Sequence, residues 1–259
     1  MRLLRVLVVG SICVCAAGAI ALGLFLYEPD FSIEDSTVLI PGGSAVLGSR
    51  EGAGDEQPRE VSLPSFRIGR YEVTAAEYAV FLDDTGSVPP PGGQFVRWGG
   101  NVRARLTRRG HPVHSVRYDE AEAYCRWLGR RTGKRVRLPS EDEWEWAARG
   151  GIDGAPFPWG WGDAEGKAVF RSRGSLRVGR REPNSYGLYD MAGNVFEWCA
   201  AIQAPGMFTA RGGSWAERST ECLRVFDRAF FDADYADGDV GFRVLVEEGE
   251  ERCVTDSNT

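Results

Sequence analysis

Residues 111–151 read HPVHSVRYDEAEAYCRWLGRRTGKRVRLPSEDEWEWAARGG, and their pattern decides what kind of fold this chain can adopt. Asp119 opens a helix that runs to about Arg131. Ala121, Tyr124, Cys125 and Leu128 share one face at three-and-four spacing, and Gly133 sits past the end. Ser140-Glu-Asp-Glu143 is a capping box, in which hydroxyl and carboxylate each satisfy a free N–H of the first turn. Trp144, Ala147 and Ala148 form the apolar face of that second helix, and Gly150-Gly151 stop it. Upstream, Thr74-Ala-Ala-Glu77 is another capping box, opening a helix through Asp84 with Tyr78, Phe81 and Leu82 on one face. VLIPGGSAVLGS (38–49) alternates apolar and small residues about Gly42-Gly43 and predicts a hairpin. Gly86 to Gly110, with Pro89-Pro90-Pro91 and two Gly-Gly pairs, reads as a long loop. Downstream come short strands and tight turns such as PWGW, RGGSW and GFRVLV. Few regular elements over so long a chain predict a loop-rich α+β fold with few short helices and small sheets.

The chain has 259 residues, with 31 Lys+Arg against 37 Asp+Glu and a net charge of -6. A modest acidic surplus gives no footprint for nucleic acid, so none is expected as a partner. Two His are too few for a three-His iron site, and 8 Trp suit a core of large aromatics rather than a ligand cage. Arg2 and Arg5 precede Val6–Tyr27, a stretch without a charge that would span about 33 Å as a helix, enough for a bilayer core. Glu28, Asp30, Glu34 and Asp35 follow, placing the body outside the cytoplasm. Ala19-Ile20-Ala21 offers a signal-peptide cleavage site, which would make the protein secreted. Apolar residues continue past it through Leu26, which favours an uncleaved anchor. The organisation expected is therefore a membrane segment over 1–27, a linker over 28–37, one domain over 38–246 and an acidic tail over 247–259.

The ordered blocks IPGGSAVLGS, RYEVTAAEYAVFL, residues 111–151, FPWGW, NSYGLYDMAGNVFEW, RGGSW and VGFRVLV span 38–246. Together they resemble the sulfatase-modifying-factor family, whose best-known members are formylglycine-generating enzymes. The resemblance implies a fold related to C-type lectins, with two helices on small sheets and long loops that define a surface groove. It also implies an oxidation of a sulfatase Cys by oxygen, with copper(I) held between two thiolates three and eight residues after the Ser of the GGS block. Here Ser214 fixes that register. Cys222 matches the second thiol, but Glu217 stands at the first. Cuprous ion prefers soft sulfur, and a carboxylate is a hard oxygen donor, so copper is not expected.

The resemblance further implies calcium, held by the side chains of Asp190 and Glu197 and the carbonyls of Gly193 and Val195. Such a mixed oxygen set suits calcium at 6–8 coordination. The bland alternative has Asp190 capping a turn and Glu197 paired with an Arg. The body holds Cys125, Cys199, Cys222 and Cys253, and an exported chain favours pairing, with Cys199–Cys222 expected as a structural disulfide and Cys125–Cys253 left open as a second bridge. Sequence alone leaves all three connectivities open. The acidic run Asp232, Asp234, Asp237, Asp239 fails an EF-hand register, because Asp237 stands where Gly belongs and Arg243 where the final Glu belongs. Arg-rich TRRG and GRRTGKR read as solvated faces. His111 and His114 flank Pro112 without a G-x-S-x-G, so nothing supports a Ser-His-Asp hydrolase.

Two functions follow. The first is an envelope-anchored binding or accessory module whose groove, at Ser214, Trp215, Glu217 and the 230–240 loop, holds a protein or peptide partner. The second is an oxidase acting through Cys222, with Ser214 beside it: either copper chemistry with Cys199, just after FEW, rebuilding the dithiol, or an unrelated oxidation in the same groove.

Overall fold

The computed structural model describes residues 31–52, 56–204 and 206–248. The expected membrane segment and Cys253 lie outside these residues. Among them, no helix is long and apolar enough to cross a membrane.

In chain order the elements are α1 (Ile33–Ser36), β1 (Thr37–Ile40), β2 (Gly43–Leu47), β3 (Arg59–Leu63), β4 (Phe66–Gly69), α2 (Ala75–Thr85), β5 (Phe95–Trp98) and β6 (Asn101–Ala104). There follow α3 (Tyr118–Thr132), β7 (Val136–Arg137), α4 (Glu141–Arg149), β8 (Phe196–Ala204), β9 (Met207–Arg211), a 3-10 turn (Glu221–Leu223), β10 (Arg228–Asp232), β11 (Val240–Gly241) and β12 (Leu245–Glu247). One sheet has the order β1-β4-β12-β7, a second β10-β9-β8-β11, and β2-β3 and β5-β6 are separate hairpins. Both capping boxes form as the sequence predicts: Thr74 Oγ1 accepts from Glu77 N at 3.3 Å and Ser140 Oγ from Glu143 N at 3.2 Å. Gly133 and Gly150 end their helices with φ of 67° and 60°, a conformation open to Gly at no steric cost.

Three expectations need correction. Residues 38–49 are not a hairpin, because β1 pairs with β4 and β2 with β3. The chain crosses between sheets at Gly42, where an added Cβ would lie 2.6 Å from Ser65 N. The 86–110 stretch is not all loop. It holds β5-β6, joined through Gly99 and Gly100 at φ 57° and 91°, the two positive values of a primed hairpin turn. The second half of the 28–37 linker is ordered: Ile33 is buried, and Ser32 caps α1.

The helices α2 and α3 run side by side in the same direction. Tyr78 stacks on Tyr124 at 5.6 Å, and Phe81 meets Trp127 at 5.7 Å edge-on. One turn further, Asp84 accepts from Trp127 Nε1 at 3.2 Å and Arg131 at 2.9 Å. This pair forms the larger core together with Phe242 and Trp198. A second core gathers Trp144, Leu188, Met191, Cys199 and Phe226 beneath the first sheet. Each such side chain contributes roughly 1.5–3 kcal/mol on burial. The two cores meet along β8, so residues on β8 and in the turns leaving β9 are rigidly placed.

Candidate functional site

The turn after β9 builds the groove. Gly212 and Gly213 adopt φ of 92° and 71°, and an added Cβ at Gly213 would lie 2.6 Å from Cys222 O. Only glycine lets the backbone pass this closely, so Ser214–Glu217 and the turn carrying Cys222 become neighbours. Arg211, buried at the end of β9, donates to Val225 O at 2.9 Å and pairs with Glu141 at 3.0 Å. It thereby ties the segment beyond Cys222 to α4. Ser214 Oγ accepts from Ala216 N at 3.2 Å and lies 3.5 Å from Asp239 Oδ2. Trp215 forms the floor. Its indole donates to Gly238 O in the acidic loop at 2.9 Å, while its carbonyl accepts from Ser172 N at 2.9 Å. Arg171 N likewise donates to Glu217 O at 2.9 Å. Trp215 therefore lies between the acidic loop on one side and residues 171 and 172 on the other. Ser214, Trp215, Glu217 and Cys222 come together as the sequence predicts. Asp232, Asp234 and Asp237 stay exposed, and Asp239 turns inward to Tyr235 Oη at 3.2 Å.

Cys222 is half-buried, and its thiol pKa is pushed up to about 12 by burial, by a hydrogen bond with the Glu217 side chain and by that carboxylate's charge. A thiol so held is protonated at neutral pH, whereas nucleophiles and copper ligands are thiolates. Cys199 is fully buried in the second core, and burial raises its thiol well above the ordinary range. Cys125, Cys199 and Cys222 are all free, so the expected Cys199–Cys222 disulfide is corrected: Cys199 points into the core and donates to Glu197 O at 3.7 Å, while Cys222 faces Glu217. The same placement removes Cys199 as a replacement second thiol. One protonated thiol beside a carboxylate does not fit copper(I).

The expected calcium ligands surround a different centre. Arg243, fully buried, donates from Nε and Nη2 to the two Glu197 oxygens at 2.6 Å each, and from Nη1 to Gly69 O at 2.9 Å. Trp144 Nε1 donates to Glu197 Oε2 at 2.7 Å. Asp190, at φ 56°, accepts from Gly179 N at 2.6 Å, and burial pushes its carboxyl up to about 6. Gly193 and Val195 lie on the same loop, but Glu197 is already neutralised by the guanidinium. A calcium ion bound through it would sit against a fixed positive charge, so these residues do not fit the ion as the resemblance draws it. Among the described residues, no cluster of three or more His, Cys, Asp or Glu is arranged to hold a metal.

Sequence reasoning missed Glu72 and Asn194. Asn194 Nδ2 donates to Glu72 Oε1 at 2.9 Å, and Glu72 Oε2 is buried without a hydrogen-bond partner among the described residues. Burial, then the charges of Asp190 and Glu197, push the Glu72 carboxyl well above the usual range. The detectable signal was Arg243 itself, a lone charge inside the apolar run GFRVLV. His114 Nδ1 lies 3.0 Å from Ser115 Oγ, and burial with nearby Arg108 lowers its pKa to about 4. It is a neutral, tucked-in imidazole.

The family described as Sulfatase-modifying factor enzyme 1-like domain matches residues 27–248. Relatives include an inactive C-alpha-formylglycine-generating enzyme 2 of Mus musculus, 36% identical over 83% of this chain and 87% of its own. A formylglycine-generating enzyme of Thermomonospora curvata is 30% identical over 65% of this chain and 72% of its own. The serine/threonine-protein kinase pkn1 of Chlamydia caviae is 36% identical over 62% of this chain, which spans only 27% of that longer protein. Among solved structures, PvdO from Pseudomonas aeruginosa superposes with a TM-score of 0.68 at 28% identity, over 82% of this chain and 94% of its own. Relatives with and without the oxidase name thus share one scaffold, and this chain belongs to the sulfatase-modifying factor enzyme 1-like family.

Proposed function

We propose that this protein is a non-oxidase binding or accessory member of its family, held at the cell envelope by residues 6–27 with its domain outside the cytoplasm. The observation that carries this reading is the contact between Glu217 and Cys222. The residue at the first thiol's position is a carboxylate, and after burial its hydrogen bond and charge raise the pKa of the remaining thiol further. Oxidation of a substrate Cys through copper needs the opposite, two thiolates gripping one soft ion. Around it the site is firmly held: Trp215 is braced from both sides, and Ser214 is buried with its hydroxyl bonded to Ala216 N. Such a site can hold an extended polypeptide without altering it. The named mouse relative that is called inactive supports a non-oxidase role within this scaffold.

The oxidase is the second reading, favoured by a Cys222 that is partly open to solvent and by relatives named as formylglycine-generating enzymes. The deciding experiment incubates the full chain with copper, oxygen and a sulfatase-type Cys peptide. The accessory reading expects unchanged peptide mass and no hydrazide-reactive aldehyde. Stoichiometric aldehyde formation, lost in Cys222→Ser, would establish the oxidase instead. Carbonate extraction and N-terminal sequencing of the mature protein test the anchor: a new N-terminus near residue 22 would contradict it.

A further inference from the structure

The chain carries two long stretches without an acidic residue, Thr85–Tyr118 and Gly166–Arg181, and both are rich in Arg. The fold brings them together. Val178 N donates to Gly110 O at 2.8 Å, His111 Nδ1 lies 3.4 Å from Ser175 Oγ, and the Arg177 guanidinium lies 3.0 Å from where a Cβ on Gly110 would be. Arg108 and Arg177 both act on His111, lowering its pKa after burial has done so. Arg105, Arg108, Arg173 and Arg177 are exposed, and none has an ion-pair partner among the described residues. In a protein of net charge -6 this is a strongly segregated positive face. It adjoins the groove, because Ser172 and Arg171 of the same segment pair with Trp215 and Glu217.

We infer that this arginine face is the docking surface for an acidic polypeptide segment that also carries apolar side chains. The inference rests on the accessory reading above and gives its partner a chemistry. The guanidinium fork matches carboxylate geometry with paired hydrogen bonds. Exposed Leu106 (45%) and Leu176 (36%) are interspersed among the arginines, a mixture that suits acidic and apolar side chains together, whereas a purely phosphate or sulfate polymer would pair with the arginines and leave the leucines unused.

The position within the molecule argues against bilayer lipid as the occupant. His111 O and Arg109 O accept from Ala75 N and Ala76 N at the first turn of α2. The body begins at the other end of that helix, where Phe31 packs on Trp127 at 5.3 Å and Arg131 lies 5.1 Å over Phe31. The 11 residues of α2 put roughly 15 Å between these ends. Glu28–Asp30 alone separate the expected anchor from Phe31, a reach of about 14 Å. With the expected anchor in place the Phe31 end would be the tethered one, and the arginine face lies at the opposite end of α2.

The test uses the full chain in neutral detergent and a labelled dodecapeptide of Glu, Asp and Leu without Cys, followed by fluorescence anisotropy. We expect saturable binding that weakens with salt and falls at least tenfold in the triple variant Arg105→Ala, Arg108→Ala, Arg177→Ala. Arg173→Glu alone should weaken it severalfold, which guards against misfolding of the triple variant, as should an unchanged melting curve. The dodecapeptide carries no Cys, so an oxidase result with the sulfatase-type peptide would end the accessory reading while leaving this measurement interpretable. Binding unaltered by the arginine changes, preference for the same peptide with Lys in place of its acids, or tighter binding to heparin, single-stranded DNA or anionic vesicles would each overturn the inference.

Discussion

Glu197 and Glu217 both stand where the family resemblance places a metal ligand, yet they meet opposite surroundings. Glu197 is fully buried, and the fold supplies its countercharge in Arg243, with an indole N–H completing the set. Glu217 lies near the surface beside Cys222, and its carboxylate acts on that thiol rather than on a cation. The difference shows how one side-chain type is made harmless or influential by depth. A buried carboxylate must be neutralised from within the sequence, because unpaired charge in the core costs several kcal/mol. A half-exposed one can stay ionised in water and spend its field on a neighbour.

The largest effect should come from breaking the buried side. Arg243→Met removes the cation paired with Glu197 in a centre that also holds Glu72 and Asp190. Loss of one partner of such a pair costs about 3–5 kcal/mol. At roughly 2–4 °C per kcal/mol for a domain of this size, calorimetry should find the melting temperature lower by about 6–20 °C. A shift below about 2 °C would mean that the pair is not what stabilises this centre.

The exposed side should answer chemically instead. Glu217→Gln removes the charge that opposes thiolate formation, so the Cys222 titration should move down from about 12. Because the reactive species is the thiolate, whose share grows with pH, alkylation by iodoacetamide at pH 8 should accelerate at least tenfold. Mass-spectrometric mapping of Cys222 checks this, and an unchanged rate would detach Glu217 from the thiol. The smallest effect is expected from calcium chelation. With Glu197 committed to Arg243, chelator should leave the melting temperature within about 1 °C, since an ion that is not bound contributes nothing by mass action. A drop of several degrees, abolished in Asp190→Ala, would restore the calcium assignment.

The same contrast explains what could be read from sequence. The three main helices were legible to within a residue or two because their signals are local: capping boxes at Thr74 and Ser140, apolar faces at helical spacing, and glycines after each end. The Ser214–Cys222 turn was legible through the family resemblance, because its two marked positions lie within eight residues of a Ser that follows Gly212-Gly213. Asn194–Glu72 and Arg243–Glu197 were not, because they join residues 122 and 46 positions apart and leave no periodic trace. The β5-β6 hairpin was missed although its Gly99-Gly100 turn was visible, because the surrounding prolines and glycines drew the whole stretch into one loop. The arginine face escaped because its two halves meet through Gly110–Val178 and His111–Ser175, contacts between residues 68 and 64 positions apart in the chain.

The central claim is that a missing sulfur turned this scaffold from oxidation to recognition, and cuprous affinity tests it most directly. Anaerobic copper(I) should be titrated against a chromogenic chelator for the wild type and for Glu217→Cys in the full chain. The account expects no competitive binding by the wild type and one tightly held ion in Glu217→Cys, where two sulfurs again face each other across the turn. Tight, stoichiometric copper(I) in the wild type, lost in Cys222→Ser, would contradict it.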